Sequence, residues 1–166
     1  MVAGYNSRVS EVGLPPTAVH AIEGDILSDA SWPSLRSDPA LAAADFDIAA
    51  ICMGVHHFSS PSLAIQRLTD LLKPGNGVLL IIDMVKEVEK GDDNPSPEHP
   101  RRSEGAGHTI HPQHNGFVEA EMREMFAGAG LKEFMWETCP SKALMKGKND
   151  EDLERVLFFA RGVRKE

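Results

Sequence analysis

Nowhere does this sequence reach the roughly 18 consecutive apolar residues that a bilayer-spanning helix requires, so no transmembrane segment is expected. Blocks of consecutive basic residues are missing too: the only concentrations are Arg101-Arg102 and the tail Arg161, Arg164 and Lys165. A phosphate backbone must be neutralised by clustered Lys and Arg. Neither nucleic acid nor an anionic membrane is therefore an expected partner. Cysteine is scarce, since Cys52 and Cys139 lie far apart and neither belongs to a Cys-x-x-Cys pair. The opening Met1-Val2-Ala3-Gly4-Tyr5-Asn6 has no basic region followed by an apolar stretch, so no secretory leader is read there. Free thiols and a cytoplasmic location follow as the default expectation.

What is present suffices for one domain spanning residues 1–166. The chain is 42% hydrophobic, enough apolar surface for a core. Its formal net charge of -8 and pI of about 5.3 again disfavour a polyanionic partner, and no internal repeat is visible.

Met1 to Val12 reads as a short polar helix stopped at Gly13, ahead of Pro15-Pro16. Val19-His20-Ala21-Ile22-Glu23 alternates apolar and polar, the pattern of a strand, and Gly24-Asp25 closes it. A loop-rich stretch follows. Asp47 to Met53 is almost continuously apolar, as expected of a parallel strand buried on both faces. Ser60-Pro61 opens a helix with Leu63, Leu68, Leu71 and Leu72 at helical spacing, and Lys73-Pro74-Gly75-Asn76-Gly77 stops it. Val78 to Val85 is a second buried strand, so the segment forms a β-α-β crossover. Lys86 to Gln113 is polar and rich in Pro and Gly, an excursion that serves as a lid or a loop. A helix resumes at Val118, with Met122, Met125, Phe126 and Ala129 on one face and Gly130 as its stop. Leu131 to Thr138 and Val156 to Val163 read as strands that pair as an antiparallel hairpin at the sheet edge, and Phe134 and Trp136 on the first of them read as core.

Phe46-Asp47-Ile48-Ala49-Ala50-Ile51-Cys52-Met53-Gly54-Val55-His56-His57-Phe58, then Leu71-Leu72-Lys73-Pro74-Gly75-Asn76-Gly77, then Leu80-Ile81-Ile82-Asp83, resemble the second half of class I S-adenosylmethionine (SAM) methyltransferases. Gly105 to Phe117 and Phe158-Phe159-Ala160-Arg161-Gly162 resemble late segments of small-molecule members common in fungi. Met1 to Asn6 resembles the phrase that follows the family's second strand, and Glu23 to Leu27 the segment after its third. The resemblance implies an α/β, Rossmann-like sheet with the strand order three, two, one, four, five, seven, six. It also implies SAM as cofactor and a small-molecule methyl acceptor from secondary metabolism.

The family's glycine-rich turn of the G-x-G-x-G type and its ribose-binding acid are not in this sequence. Glycine is needed in that turn because the backbone approaches the cofactor without a Cβ. About 40–60 residues of the pattern, covering the first two strands, are therefore missing by ordinary element lengths. Without those strands, the edges of the third and fourth would lie unpaired and invite association. Three outcomes are open: the third strand slides over to pair with the fourth, another chain (a homo-oligomer or a partner) fills the gap, or the chain is a fragment.

Asp25 and Ile26, after the third strand, are candidates for an adenine contact, with a turn or helix-capping acid as the alternative for Asp25. Met53 and Gly54 end the fourth strand, where open α/β sheets bind ligands. His56 and His57 follow on the next loop, and one of them can accept a proton near neutral pH; the alternative is a capping or core ring. By resemblance, His114, before Asn115-Gly116-Phe117, stands where such enzymes place a substrate-facing histidine. His108, His111 and His114 recur every three residues, but Pro112 and the flanking glycines oppose a helix, so no metal site is expected. Three functions remain open: a methyltransferase-like enzyme impaired in SAM binding by itself, a SAM-independent rearrangement or cyclisation enzyme, and a non-catalytic partner that docks or self-associates.

Overall fold

The computed structural model describes residues 1–86, 114–146 and 152–166, which divide into two compact units, Met1–Ala42 and Ala43–Glu166. The expected excursion, His108 and His111 included, lies outside the described residues apart from Lys86.

The first unit holds α1 (Val2–Glu11), α2 (Trp32–Arg36) and α3 (Pro39–Ala42). Helix α1 ends as the sequence indicates. The Gly13 N–H bonds the Ser10 carbonyl at 3.0 Å and the Leu14 N–H bonds that of Val9 at 3.1 Å, which satisfies two terminal acceptors. The expected strand at Val19–Glu23 is not formed. A strand persists only as part of a ladder, and no described residue pairs with this segment. A side chain takes the ladder's place: the Asn6 amide donates to the Ala21 carbonyl at 3.0 Å, and its own carbonyl accepts the Ala21 N–H at 2.7 Å. Asn6→Ala removes both bonds and is expected to cost the unit about 1–2 kcal/mol. Faster hydrogen exchange at the Ala21 amide would register it.

The second unit carries β1 (Ile48–Cys52), α4 (Pro61–Thr69), β2 (Val78–Met84), α5 (Glu119–Gly128), β3 (Leu131–Thr138), β4 (Ala143–Lys146), β5 (Asp152–Arg155) and β6 (Leu157–Arg164). The main sheet has the order β1-β2-β6-β3, parallel between β1 and β2 and antiparallel elsewhere. That order matches strands four, five, seven and six of the arrangement the resemblance implies. β3 and β6 pair as expected, but only β3 is at the edge, because β6 lies between β2 and β3. The connection between them carries a separate two-stranded ribbon, β4–β5, which no strong alternation in the sequence announces.

Ile65, Leu72, Leu79, Ile81, Met122, Phe126 and Phe158 are fully buried and form one cluster. On α4 Ala64, Ile65 and Thr69 are buried and Leu63 is half-buried; Leu68 packs half-buried against the cluster, and Leu71 and Leu72, just past the helix, are buried. β1 corrects a second expectation. It is not buried on both faces, because Ile48, Ala50 and Cys52 are exposed and only Ala49 and Ile51 turn inward. The physical reason is position: β1 has a single described neighbour, β2, and only one of its faces meets the cluster. Both cysteines are free. No described helix is long and apolar enough to cross a membrane.

Helix α5 starts with one half of a capping arrangement. The Glu121 carboxylate accepts the Val118 N–H at 3.1 Å, while the Val118 side chain has nothing to return. That hydrogen bond, helped by Lys86, holds the Glu121 carboxyl below its usual range. A lowered folded-state value means that this stability is present above the ordinary Glu range and is lost as pH falls through the folded value. Glu121→Gln is expected to cost about 0.5 kcal/mol at neutral pH and progressively less as pH falls through the folded value. Paired melts at pH 7 and pH 3 would measure the difference.

Candidate functional site

The parallel strands β1 and β2 end side by side, and the site is built on those ends. The Met53 N–H closes the ladder on the Ile82 carbonyl at 2.8 Å, after which Met53 adopts a left-handed φ of 53°. A non-glycine residue in that region stores strain of about 1–3 kcal/mol, which the surroundings must offset. The chain then turns through Gly54 into a single 3-10 turn, Val55–His57, whose first two residues are buried.

One side chain holds that turn. Asp83, on β2 and 0% exposed, accepts the Val55 N–H at 3.0 Å and the His56 N–H at 3.2 Å on Oδ2. Its Oδ1 lies 2.6 Å from Nδ1 of the His56 ring and accepts the Met84 N–H at 2.8 Å. A buried carboxylate is expensive unless its lone pairs are satisfied, and here two main-chain donors come from the turn itself. The His56 ring is 4% exposed and lies 4.0 Å from the His57 ring, tilted by 42°.

His114 reaches the same place from after the excursion. Its N–H donates to the His56 carbonyl at 3.0 Å. The following segment is seated on the end of β2: the Phe117 N–H bonds the Met84 carbonyl at 3.0 Å, and the Lys86 N–H bonds the Phe117 carbonyl at 2.9 Å. Two buried ring nitrogens, Nδ1 of His57 and Nε2 of His114, have no partner among the described residues. His114, but not His57, lines a cleft of about 610 Å³ between α4 and α5, together with Gln66, Phe117, Glu121, Glu124 and Met125, among others.

The structure therefore brings together Met53, Gly54, His56, His57 and His114. Asp25 and Ile26 lie in the first unit. There the Asp25 side chain accepts the Leu27 N–H at 2.8 Å, and the turn closes with the Ser28 N–H on the Asp25 carbonyl at 3.2 Å. Asp83 escaped sequence reasoning as a site residue. Its signal was a lone acid inside an otherwise apolar strand, a position that demands a buried partner. No group of described residues is arranged to hold a metal ion.

By the resemblance, SAM would lie across the carboxyl ends of the family's first and fourth strands, the fourth being β1 here. Met53 and Gly54 stand at the end of β1. On its other side no described strand pairs with β1, so the described residues do not complete the cofactor site that the resemblance implies.

No protein-family model matches the chain, and no curated protein matches its sequence. Solved structures do match. The YcgJ protein from Bacillus subtilis is 16% identical, with 100% of this chain aligned to 79% of that one at a TM-score of 0.59. The cyclase SpnF is 16% identical, with 99% of this chain aligned to 63% of that one at 0.58. A protein described by the conversion of a disulfide bond into a thioacetal group during echinomycin biosynthesis is 15% identical, with 99% aligned to 63% at 0.52. The chain has the Rossmann-like methyltransferase fold. At these identities the likeness concerns the fold, and the chain spans less than two thirds of the length of the last two proteins.

Proposed function

We propose that this chain is a methyltransferase-like enzyme of small-molecule metabolism that carries the acceptor side of the site and grips SAM poorly by itself. The observation that supports this reading is the histidine group fixed at the carboxyl ends of β1 and β2, next to an open cleft. His57 and His114 each keep a buried ring nitrogen without a described partner. His114 lines the cleft and is the first candidate to take a proton from a hydroxyl or amine held there, with His57 the second. Phe117 and Met125 offer apolar surface to the body of such a molecule, and Gln66 and Glu124 offer hydrogen bonds to its polar groups. Holding the acceptor in one orientation is the larger share of the catalysis such a cleft can supply. SAM, when bound, supplies the methyl group.

A second reading is a SAM-independent rearrangement or cyclisation on the same fold. The one-sided cofactor ledge favours it, as does the likeness to a cyclase, although that likeness concerns the fold alone. In that case the same histidines serve as acid and base to the substrate. A further proposal is that the open edge of β1 is covered by a second copy or a partner chain.

Calorimetric titration of SAM and S-adenosylhomocysteine into the purified chain separates the two readings. Binding at micromolar ligand supports methyl transfer, with His57→Ala and His114→Ala expected to lower turnover about 10²–10⁴-fold for whichever residue is the base. Absence of binding at millimolar ligand rejects methyl transfer for this chain and leaves the cofactor-free reading.

A further inference from the structure

Three histidines meet at the site, and they are not equivalent. His56 is 4% exposed, and its ring, its N–H and its carbonyl are all engaged, by Asp83 Oδ1, Asp83 Oδ2 and the His114 N–H respectively. His57 and His114 each retain a buried ring nitrogen with no described partner. His56 touches both of them, His57 through ring contact at 4.0 Å and His114 through its own carbonyl.

We propose that Asp83 is the positioning residue of this site, acting through His56 as a fixed strut that sets where His57 and His114 stand. The inference rests on the reading of this histidine group as the functional site. An ionised carboxylate is an acceptor only. The other three groups on Asp83, the N–H of Val55, His56 and Met84, are all donors. The set is self-consistent with a proton on Nδ1 of His56, donated to Oδ1 across 2.6 Å. One carboxylate thereby fixes the main chain of the turn, the tautomer of His56 and the plane of its ring. The neighbouring rings inherit those restraints.

The test uses side-chain nitrogen NMR on the uniformly labelled chain without added ligand. In the native protein, His56 is expected to show a protonated-type signal at Nδ1, the atom that faces Asp83. Asp83→Asn offers the ring an amide in place of the carboxylate. The expected result is loss of the single His56 tautomer, with displaced ring signals for His57 and His114 and an unmoved His20, which lies in the first unit. A native His56 with a bare-type signal at Nδ1, or one averaging freely between tautomers, overturns the proposal. So does an Asp83→Asn protein in which the signals of His57 and His114 stay in place. Should that variant unfold, His56→Gln takes its place, and ring signals of His57 and His114 that stay where they were overturn the proposal. The readout involves neither SAM nor turnover. A failed SAM titration with a fixed tautomer therefore rejects the methyl-transfer reading alone, and the converse result rejects the positioning role alone.

Discussion

Asp83→Ala is expected to cost about 3–5 kcal/mol, the range found when one partner of a buried, hydrogen-bonded charge is removed. The substitution strips acceptors from three main-chain N–H groups, of Val55, His56 and Met84, and from the His56 ring. Both Asp83 and His56 are shielded from solvent, so water replaces these bonds only if the turn opens. Set against a total of roughly 5–15 kcal/mol for an ordinary domain, the loss leaves the second unit marginal. Urea denaturation should show a midpoint far below that of the native chain at an unchanged slope. A change within about 0.5 kcal/mol, the scale of surface substitutions, would mean that the carboxylate is not buried as described.

Gly116→Ala is the second large effect, expected at about 2–4 kcal/mol. Gly116 has a φ of 89°, a conformation that side chains other than glycine resist. A Cβ there would lie 2.7 Å from the Met84 carbonyl oxygen and 2.9 Å from both the Lys86 nitrogen and the Val85 carbonyl carbon. All three are main-chain atoms, so no rotamer change relieves the clash. The segment would lift from the end of β2, and the bonds joining Phe117 to Met84 and Lys86 would break. His114 would leave with it. Gly130 is the control, having a φ of 77° but nothing within 4 Å of a built Cβ. Gly130→Ala should therefore cost only the conformational share, about 1 kcal/mol. Hydrogen exchange at the Lys86 and Phe117 amides should accelerate in Gly116→Ala and stay native in Gly130→Ala. Equal costs at the two positions would reject the close approach.

Both substitutions act on the same small region from opposite directions. Asp83 holds the turn that follows β1, and Gly116 lets the segment bearing His114 come down on β2. Their effects share the contact between His114 and His56, so the double substitution should be less than additive.

Local pattern alone determined much of this protein. The 3.6-residue period of Met122, Phe126 and Ala129 marked α5, and Gly130 its end. The apolar run at Val78 marked β2, and the turn Lys73 to Gly77 separated it from α4. These elements are legible because their burial faces and stops are written within a dozen residues. The histidines after β1 were equally visible as candidates, because a parallel strand end is a ligand position whatever its neighbours. Tertiary structure decided what depends on neighbours. Val19 to Glu23 has a strand's alternation, but a strand needs a partner, and the Asn6 side chain holds Ala21 instead. β1 has the composition of a doubly buried strand, yet its place at the sheet edge exposes Ile48 and Cys52. Asp83 was one letter in an apolar run until folding brought β2 beside the turn at residues 55–57, 27 and 28 positions earlier in the chain. Sequence period fixes which way a side chain faces. Only packing supplies the donors, the covering layer and the distances that give that side chain a role.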